Sequence, residues 1–189
     1  TDVDTNNGDI DIAATGVITA TDVVANSDIT LDAGGNISVT SITANNSGTV
    51  SLTASGTIIE STTDTTVDIT AGSISLTSED GIGSSSSALD IDADTLAAEA
   101  NADGAGIFLF HPDSNSDINV KDSLTIGNVS GVLGVTTTNG DISIEIEHGD
   151  LLVSNVTTSA DEISVGNANI SLTAGTAQQA GVAGGLNIL

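Results

Sequence analysis

Asp28-Ile29-Thr30-Leu31-Asp32-Ala33-Gly34-Gly35-Asn36-Ile37-Ser38-Val39 is the stretch that decides the fold. Twice within it an aliphatic residue alternates with a polar one, and a Gly-Gly-Asn corner separates the two runs. Alternation with period two marks a strand with one buried and one wetted face. The same phrase recurs as Asp9-Ile10-Asp11-Ile12, Thr49-Val50-Ser51-Leu52, Thr66-Val67-Asp68-Ile69 and Ser73-Ile74-Ser75-Leu76. It continues as Ala88-Leu89-Asp90-Ile91, Asp117-Ile118-Asn119-Val120, Asp141-Ile142-Ser143-Ile144, Glu162-Ile163-Ser164-Val165 and Asn169-Ile170-Ser171-Leu172. Strands so short bury too little surface alone, so many of them at a repeating interval must stack on one another.

Taking one strand start per rung gives Ile10, Ile29, Val50, Val67, Leu89, Ile107, Leu124, Ile142, Ile163 and Leu186. These recur about every 20 residues, a solenoid period. A second strand often begins a few residues later, as at Ile37 after Ile29 and Ile58 after Val50, and a third fits around Ile42. Between them lie Asn45-Asn46-Ser47-Gly48 and Asn139-Gly140, residue types that supply the positive φ of tight corners. The expected fold is all-β, a parallel β-helix of roughly nine to ten rungs forming a rod of about 45 Å. An antiparallel sandwich also spaces its strands closely. The short strands, the missing aromatics and the uniform phrase favour the solenoid. Residues 1–189 then form one domain. Ser84–Ser87 and Asp113–Asp117 are corner insertions in it, and Leu96–Ala102 is a rung of small residues.

Composition fits that architecture. The chain has 38% hydrophobic residues but only two aromatics, Phe108 and Phe110, which share one strand and are expected to face the core. A solenoid interior is narrow and needs no large aromatic fillers, whereas sandwiches and enzymes usually use them. Against 26 acidic residues stands one basic residue, Lys121, for a net charge of −25. Nucleic-acid binding needs Lys and Arg to neutralise phosphates, and docking on an anionic membrane needs the same. Both are therefore excluded as expectations. Apolar runs such as Ala105–Phe110 are far too short to span a bilayer. No Cys is present, so no disulfide staples the fold.

The phrases Asp28–Val39, Gly48–Ile58 and Thr137–Ile146, and the stretch Gly81–Leu109, resemble the repeats of filamentous-haemagglutinin-type bacterial adhesins. The resemblance covers residues 8–175. It implies a secreted right-handed β-helix, displayed outside the cell as a stalk or adhesin, without catalysis. The secretion domain of that family, with its own N-terminal motif, is not evident here. The chain starts without Met, and strand-like residues run to Ile188-Leu189 with no capping pattern at either end. The expectation is a segment of a longer rod, or a subunit that associates end to end into a filament, since bare solenoid edges template further pairing.

Candidate chemistry is sparse. Asp90, Asp92 and Asp94 alternate along one strand and are expected to point outward about 7 Å apart. Such a row suits Ca²⁺, which accepts oxygen ligands in flexible geometry, and Ca²⁺ is the only cofactor suggested. Plain repulsive surface charge explains the same row. The calcium-solenoid repeat G-G-x-G-x-D is absent. Asp9 with Asp11 and Glu145 with Glu147 form smaller versions. A Ca²⁺-dependent module that binds glycans or surfaces is the alternative to a purely mechanical role. His111 and His148 are the only histidines and are expected at corners or on the surface. No Ser-His-Asp grouping or phosphate loop is discernible, and the chain is not expected to be an enzyme. The sequons at Asn36, Asn45, Asn128, Asn155 and Asn169 are explained by chance in a chain so rich in Asn, Ser and Thr.

Overall fold

Three columns of short parallel strands enclose one aliphatic interior in a computed structural model that describes residues 2–5, 8–112, 123–154, 156–159, 168–174 and 186–188. The described residues are all-β, with 20 strands in one large sheet and a separate antiparallel pair, Asn128–Val129 with Val132–Leu133. The arrangement is that of a β-solenoid. The first turn runs Ile10–Ala14, Ile18–Ala20 and Asp22–Ala25, then returns as Ile29–Ala33 directly above its start.

The clearest consequence of the repeated phrase is an isoleucine ladder on one face. Ile18, Ile37, Ile58, Ile82, Ile107, Ile142 and Ile170 are successive register partners in parallel strands. The first six are buried. β-Branched side chains suit this position because they are stiff at χ1 and pack on a pleated surface. The second face stacks Ile10, Ile29, Val50, Ile74 and Leu96 in the same manner. The third aligns Val23, Ile42, Ile69 and Ile91. Leu96–Ala102 lies inside the strand Leu89–Asp103, as its small residues suggest, with Leu96, Ala97, Ala98 and Ala100 buried.

Corners are stapled by the first residue of the phrase. The Asp28 amide donates to Asp9 Oδ1 at 3.3 Å, 19 residues away. The Thr49 amide donates to Asp28 Oδ1 at 2.8 Å across 21 residues. Asn36 Oδ1 accepts from the Thr57 amide at 3.1 Å, and Asp141 Oδ1 from the Asn169 amide at 2.8 Å across 28 residues. Each acceptor satisfies a backbone donor that the bend removes from the regular ladder. Asp9, Asp28, Asn36 and Asp141 thereby have a structural role. Glycine is required where two corners touch: a Cβ on Gly72 would come within 2.7 Å of Ser47 Cα.

Val67 and the two phenylalanines differ from the pattern read in sequence. Val67 does not begin a strand; it lies in a bend, and Ile69 takes the ladder position opposite Ile42 and Ile91. The polar run before it widens the turn, since Glu60 and Ile69 are joined by eight residues where Val39 and Ile42 are joined by two. Phe108 and Phe110 share one side of their strand as expected, but it is the outer side. Ile107, Leu109 and His111 fill the interior instead. The interior is already filled by aliphatic side chains from all three faces, so the larger rings project outward. The Phe108 ring lies over Gly106, where an added Cβ would come within 2.6 Å of Phe108 Cε2. Asp113–Asp117, Lys121 and Ile163 lie outside the described residues.

Candidate functional site

Glu60, Asp68 and Asp90 bring carboxylate oxygens within 4.8 Å of one another. Each is supplied by a turn between two faces. Glu60 ends the strand Thr57–Glu60, in register with Val39, so a carboxylate occupies a position that the previous turn gives to a core aliphatic. Asp68 and Asp90 stand one turn apart, each just before the residues that pair as Ile69 and Ile91. Widened turns cover them: the bend 61–67 on one level and Ser84–Ser87, closed by a bridge between its end residues, on the next. Ser84–Ser87 is thus the corner insertion expected from sequence.

All three carboxylates are buried, at 8%, 5% and 2% exposure. Asp68 Oδ2 accepts from the Asp90 amide at 3.1 Å. Ser87 Oγ donates to Glu60 Oε1. Glu60 Oε2 and Asp90 Oδ2 have no hydrogen-bond partner. Outside the triad, Asp64 Oδ1 accepts from the Thr66 amide at 2.7 Å and Oδ2 from Thr62 Oγ at 2.9 Å. Those bonds hold the Asp64 carboxyl below its usual range.

Burial acts oppositely on the triad. Desolvation, then the backbone bond from Asp90 working against it, then the charges of Glu60, Asp90 and Asp64 leave Asp68 raised to about 7. Desolvation and the charges of Glu60 and Asp64 raise Asp90 to about 7. Glu60 is also raised, mainly by burial. No Lys or Arg is present among the described residues to offset this charge, since the chain's one such residue is Lys121. Three buried carboxylates with no cationic partner among the described residues are stabilised by holding protons or a metal ion.

A groove of about 270 Å³ opens onto Glu60 and Asp90. Its outer wall includes Phe108, Phe110, Thr63 and Ser143. Hydroxyls, carboxylates and two outward rings therefore share one surface.

The row expected from sequence, Asp90, Asp92 and Asp94, does not converge. Asp90 sits at a corner, where the chain passes from pairing with Leu109–Phe110 to pairing with Ile69–Ala71. That bend breaks the strict alternation, so Asp90 is buried where an outward position was expected. Asp92 is 25% exposed and its Oδ1 lies 4.0 Å from His111 Nε2. Asp94 is exposed. A shallow second groove, with Asn45, Asn46 and Thr70, borders Asp92 and Asp94.

His111 was expected at a corner or the surface and is instead buried at 1%, in register with Ile146. Its Nε2 lies 3.4 Å from both the amide nitrogen and the carbonyl oxygen of Ala93. Glu60 and Asp68 were not singled out in the sequence. The available signal was an acid at core parity, Glu60 two residues after Ile58, followed by an overlong polar turn.

No protein-family model, curated protein or solved structure matches the chain.

Proposed function

We propose that the chain is a structural segment of an extracellular bacterial surface protein of the filamentous-haemagglutinin type. In this reading it is a right-handed β-solenoid with a basic turn of about 20 residues, widened by insertions. Its work is mechanical: to extend, to display, or to polymerise end to end. The observation that carries the reading is the isoleucine column from Ile18 to Ile170, in register through every described level of one face. Each turn packs chiefly on its neighbours, which makes length adjustable by adding turns. The strong negative charge and the near absence of Lys and Arg suit a solvated exterior rather than a nucleic-acid or membrane partner.

Negative-stain electron microscopy of the purified chain, in calcium and in chelator, tests this. Rods one solenoid wide are expected, either short and separate (a stalk segment) or joined into fibres (a filament subunit). Compact globular particles would overturn the reading.

One observation favours a second reading, a Ca²⁺-dependent module that binds glycans or surfaces. Phe108 and Phe110 face outward beside Ser and Thr hydroxyls and Glu145, and aromatic faces next to hydroxyls and carboxylates suit sugar rings. Binding to a glycan panel in calcium, lost in Phe110→Ala, is the expected result if this reading is right.

A further inference from the structure

We propose that Glu60, Asp68 and Asp90 form a binding site for one divalent cation of the Ca²⁺ type, which clamps the bend 61–67 onto the solenoid wall. Glu60 and Asp68 flank the bend 61–67 on one level and Asp90 lies on the next, so one ion ties the two ends of that bend to the adjacent turn. The inference does not depend on the chain's being a rod or an adhesin.

Two independent observations point to an ion. The carboxylate oxygens lie within 4.8 Å of one another, a separation that ligands at Ca²⁺ bond lengths of about 2.3–2.6 Å span across the ion. Separately, Glu60 Oε2 and Asp90 Oδ2 are buried without any hydrogen-bond partner, on residues 8% and 2% exposed. A buried carboxylate oxygen left unpaired is costly, and a cation between them removes that cost for both at once.

The donor set selects the class of ion. All three ligands are carboxylate oxygens, with no Cys in the chain and with His111 turned to Asp92 and Ala93 instead. Zinc and other borderline metals prefer nitrogen and sulfur. Mg²⁺ demands near-ideal octahedral geometry and keeps most of its water. An irregular trio held at three backbone positions on two adjacent levels suits Ca²⁺ better. The groove over Glu60 and Asp90 gives access and room for waters to complete the coordination.

Isothermal titration calorimetry and thermal melts of the full chain, with CaCl₂ or MgCl₂ against chelator at constant ionic strength and about pH 8, test the site. Expected are one Ca²⁺ per chain, a rise in Tm of several degrees with Ca²⁺, and at least tenfold weaker Mg²⁺ binding. Glu60→Gln and Asp90→Asn should each weaken Ca²⁺ binding at least tenfold, and Asp94→Asn should leave it unchanged. Should Asp90→Asn fail to fold, Glu60→Gln carries the comparison, because it keeps the side-chain shape and the contact with Ser87. Equal Tm in calcium and chelator with no titration heat would overturn the proposal. So would Ca²⁺ binding that survives Glu60→Gln but is lost in Asp94→Asn, which would place the ion on the outer row.

Discussion

The Asp90 backbone amide donates to Asp68 Oδ2 at 3.1 Å, and the two residues occupy equivalent positions on successive turns. Elsewhere the same cross-turn bond is made by exposed acceptors such as Asp28 and Asn36. Here the corner is roofed by the widened bends, so a motif that is harmless at the surface becomes a buried like-charge pair. Asp68 and Asp90 are each raised from 3.8 to about 7, with desolvation the largest cause. The folded state thus holds protons that the unfolded chain has already released. Stability from this pair is fully present below the unfolded value of 3.8 and is lost as pH rises through about 7. In chelator, Tm should fall as pH is raised across that window. Asp90→Asn should flatten the fall by removing one carboxylate of the pair. A pH profile of Tm that is the same in wild type and Asp90→Asn would show that the pair does not titrate as described.

Within the isoleucine ladder, Ile58 is fully buried between Ile37 and Ile82. Truncation to Ala leaves a cavity that neighbouring turns, pinned by their own ladders, cannot collapse to fill. Ile58→Ala should cost about 2–5 kcal/mol, and Ile58→Val about 0.5–1.5 kcal/mol. Val17, 63% exposed, gives the control: Val17→Ala should stay within about 0.5 kcal/mol. Denaturant unfolding measures all three, and equal effects at Ile58 and Val17 would contradict a packed interior.

Corner acceptors should behave as acceptors rather than as charges. Asp28 is bonded to the Thr49 amide at 2.8 Å, and an Asn serves the same role at position 36. Asp28→Ala should cost about 1 kcal/mol by leaving that amide without its protein partner. Asp28→Asn should be neutral or slightly stabilising, because it keeps the bond and lowers a net charge of −25. If Asn destabilises as much as Ala, the charge itself matters and the corner assignment is wrong.

Much of the architecture was legible because one physical rule repeats. Alternation at Ile29-Thr30-Leu31 and Ile37-Ser38-Val39 fixes which side chains turn inward, and stacking then fixes the neighbours. What alternation does not carry is the behaviour of corners. At Asp90 the strand bends from one face to the next, so the Asp90–Asp94 row read as one surface divides between an interior and an exterior. At Val67 the phrase is present but the chain is still crossing a widened turn. The site itself depends on residues far apart in sequence. Ser87 reaches Glu60 across 27 positions, and no local pattern states that the two turns meet. Phe108 and Phe110 went outward for a related reason: hydrophobicity suggests burial, but the interior volume, already filled from three sides, decides it.

Glycines separate two further kinds of constraint, and substitution should tell them apart. Gly140 sits at a corner where an added Cβ would overlap the carbonyl of Ala105 on the neighbouring turn. Its own carbonyl accepts from Thr137 Oγ1 at 2.7 Å, and the next residue, Asp141, carries the corner bond to Asn169. Gly140→Ala must push two stacked backbones apart, at a cost on the order of 1–3 kcal/mol, the range for overpacking a close contact. Gly131, in the turn joining Asn128–Val129 to Val132–Leu133, has φ +90°, and an added Cβ would meet no atom within 4 Å. Gly131→Ala meets only the local backbone preference against positive φ, about 1 kcal/mol. Because the turn residue itself meets no neighbouring strand, its strain should stay local and leave the unfolding cooperative. Gly140→Ala should instead loosen the turn above it, which hydrogen exchange would report as faster exchange at Ile142 and Ile107, whose amides bond across this corner to Asn169 and Asp141. Unchanged exchange at both amides would mean that the corner absorbs a methyl group and that its close approach is not a constraint on the fold.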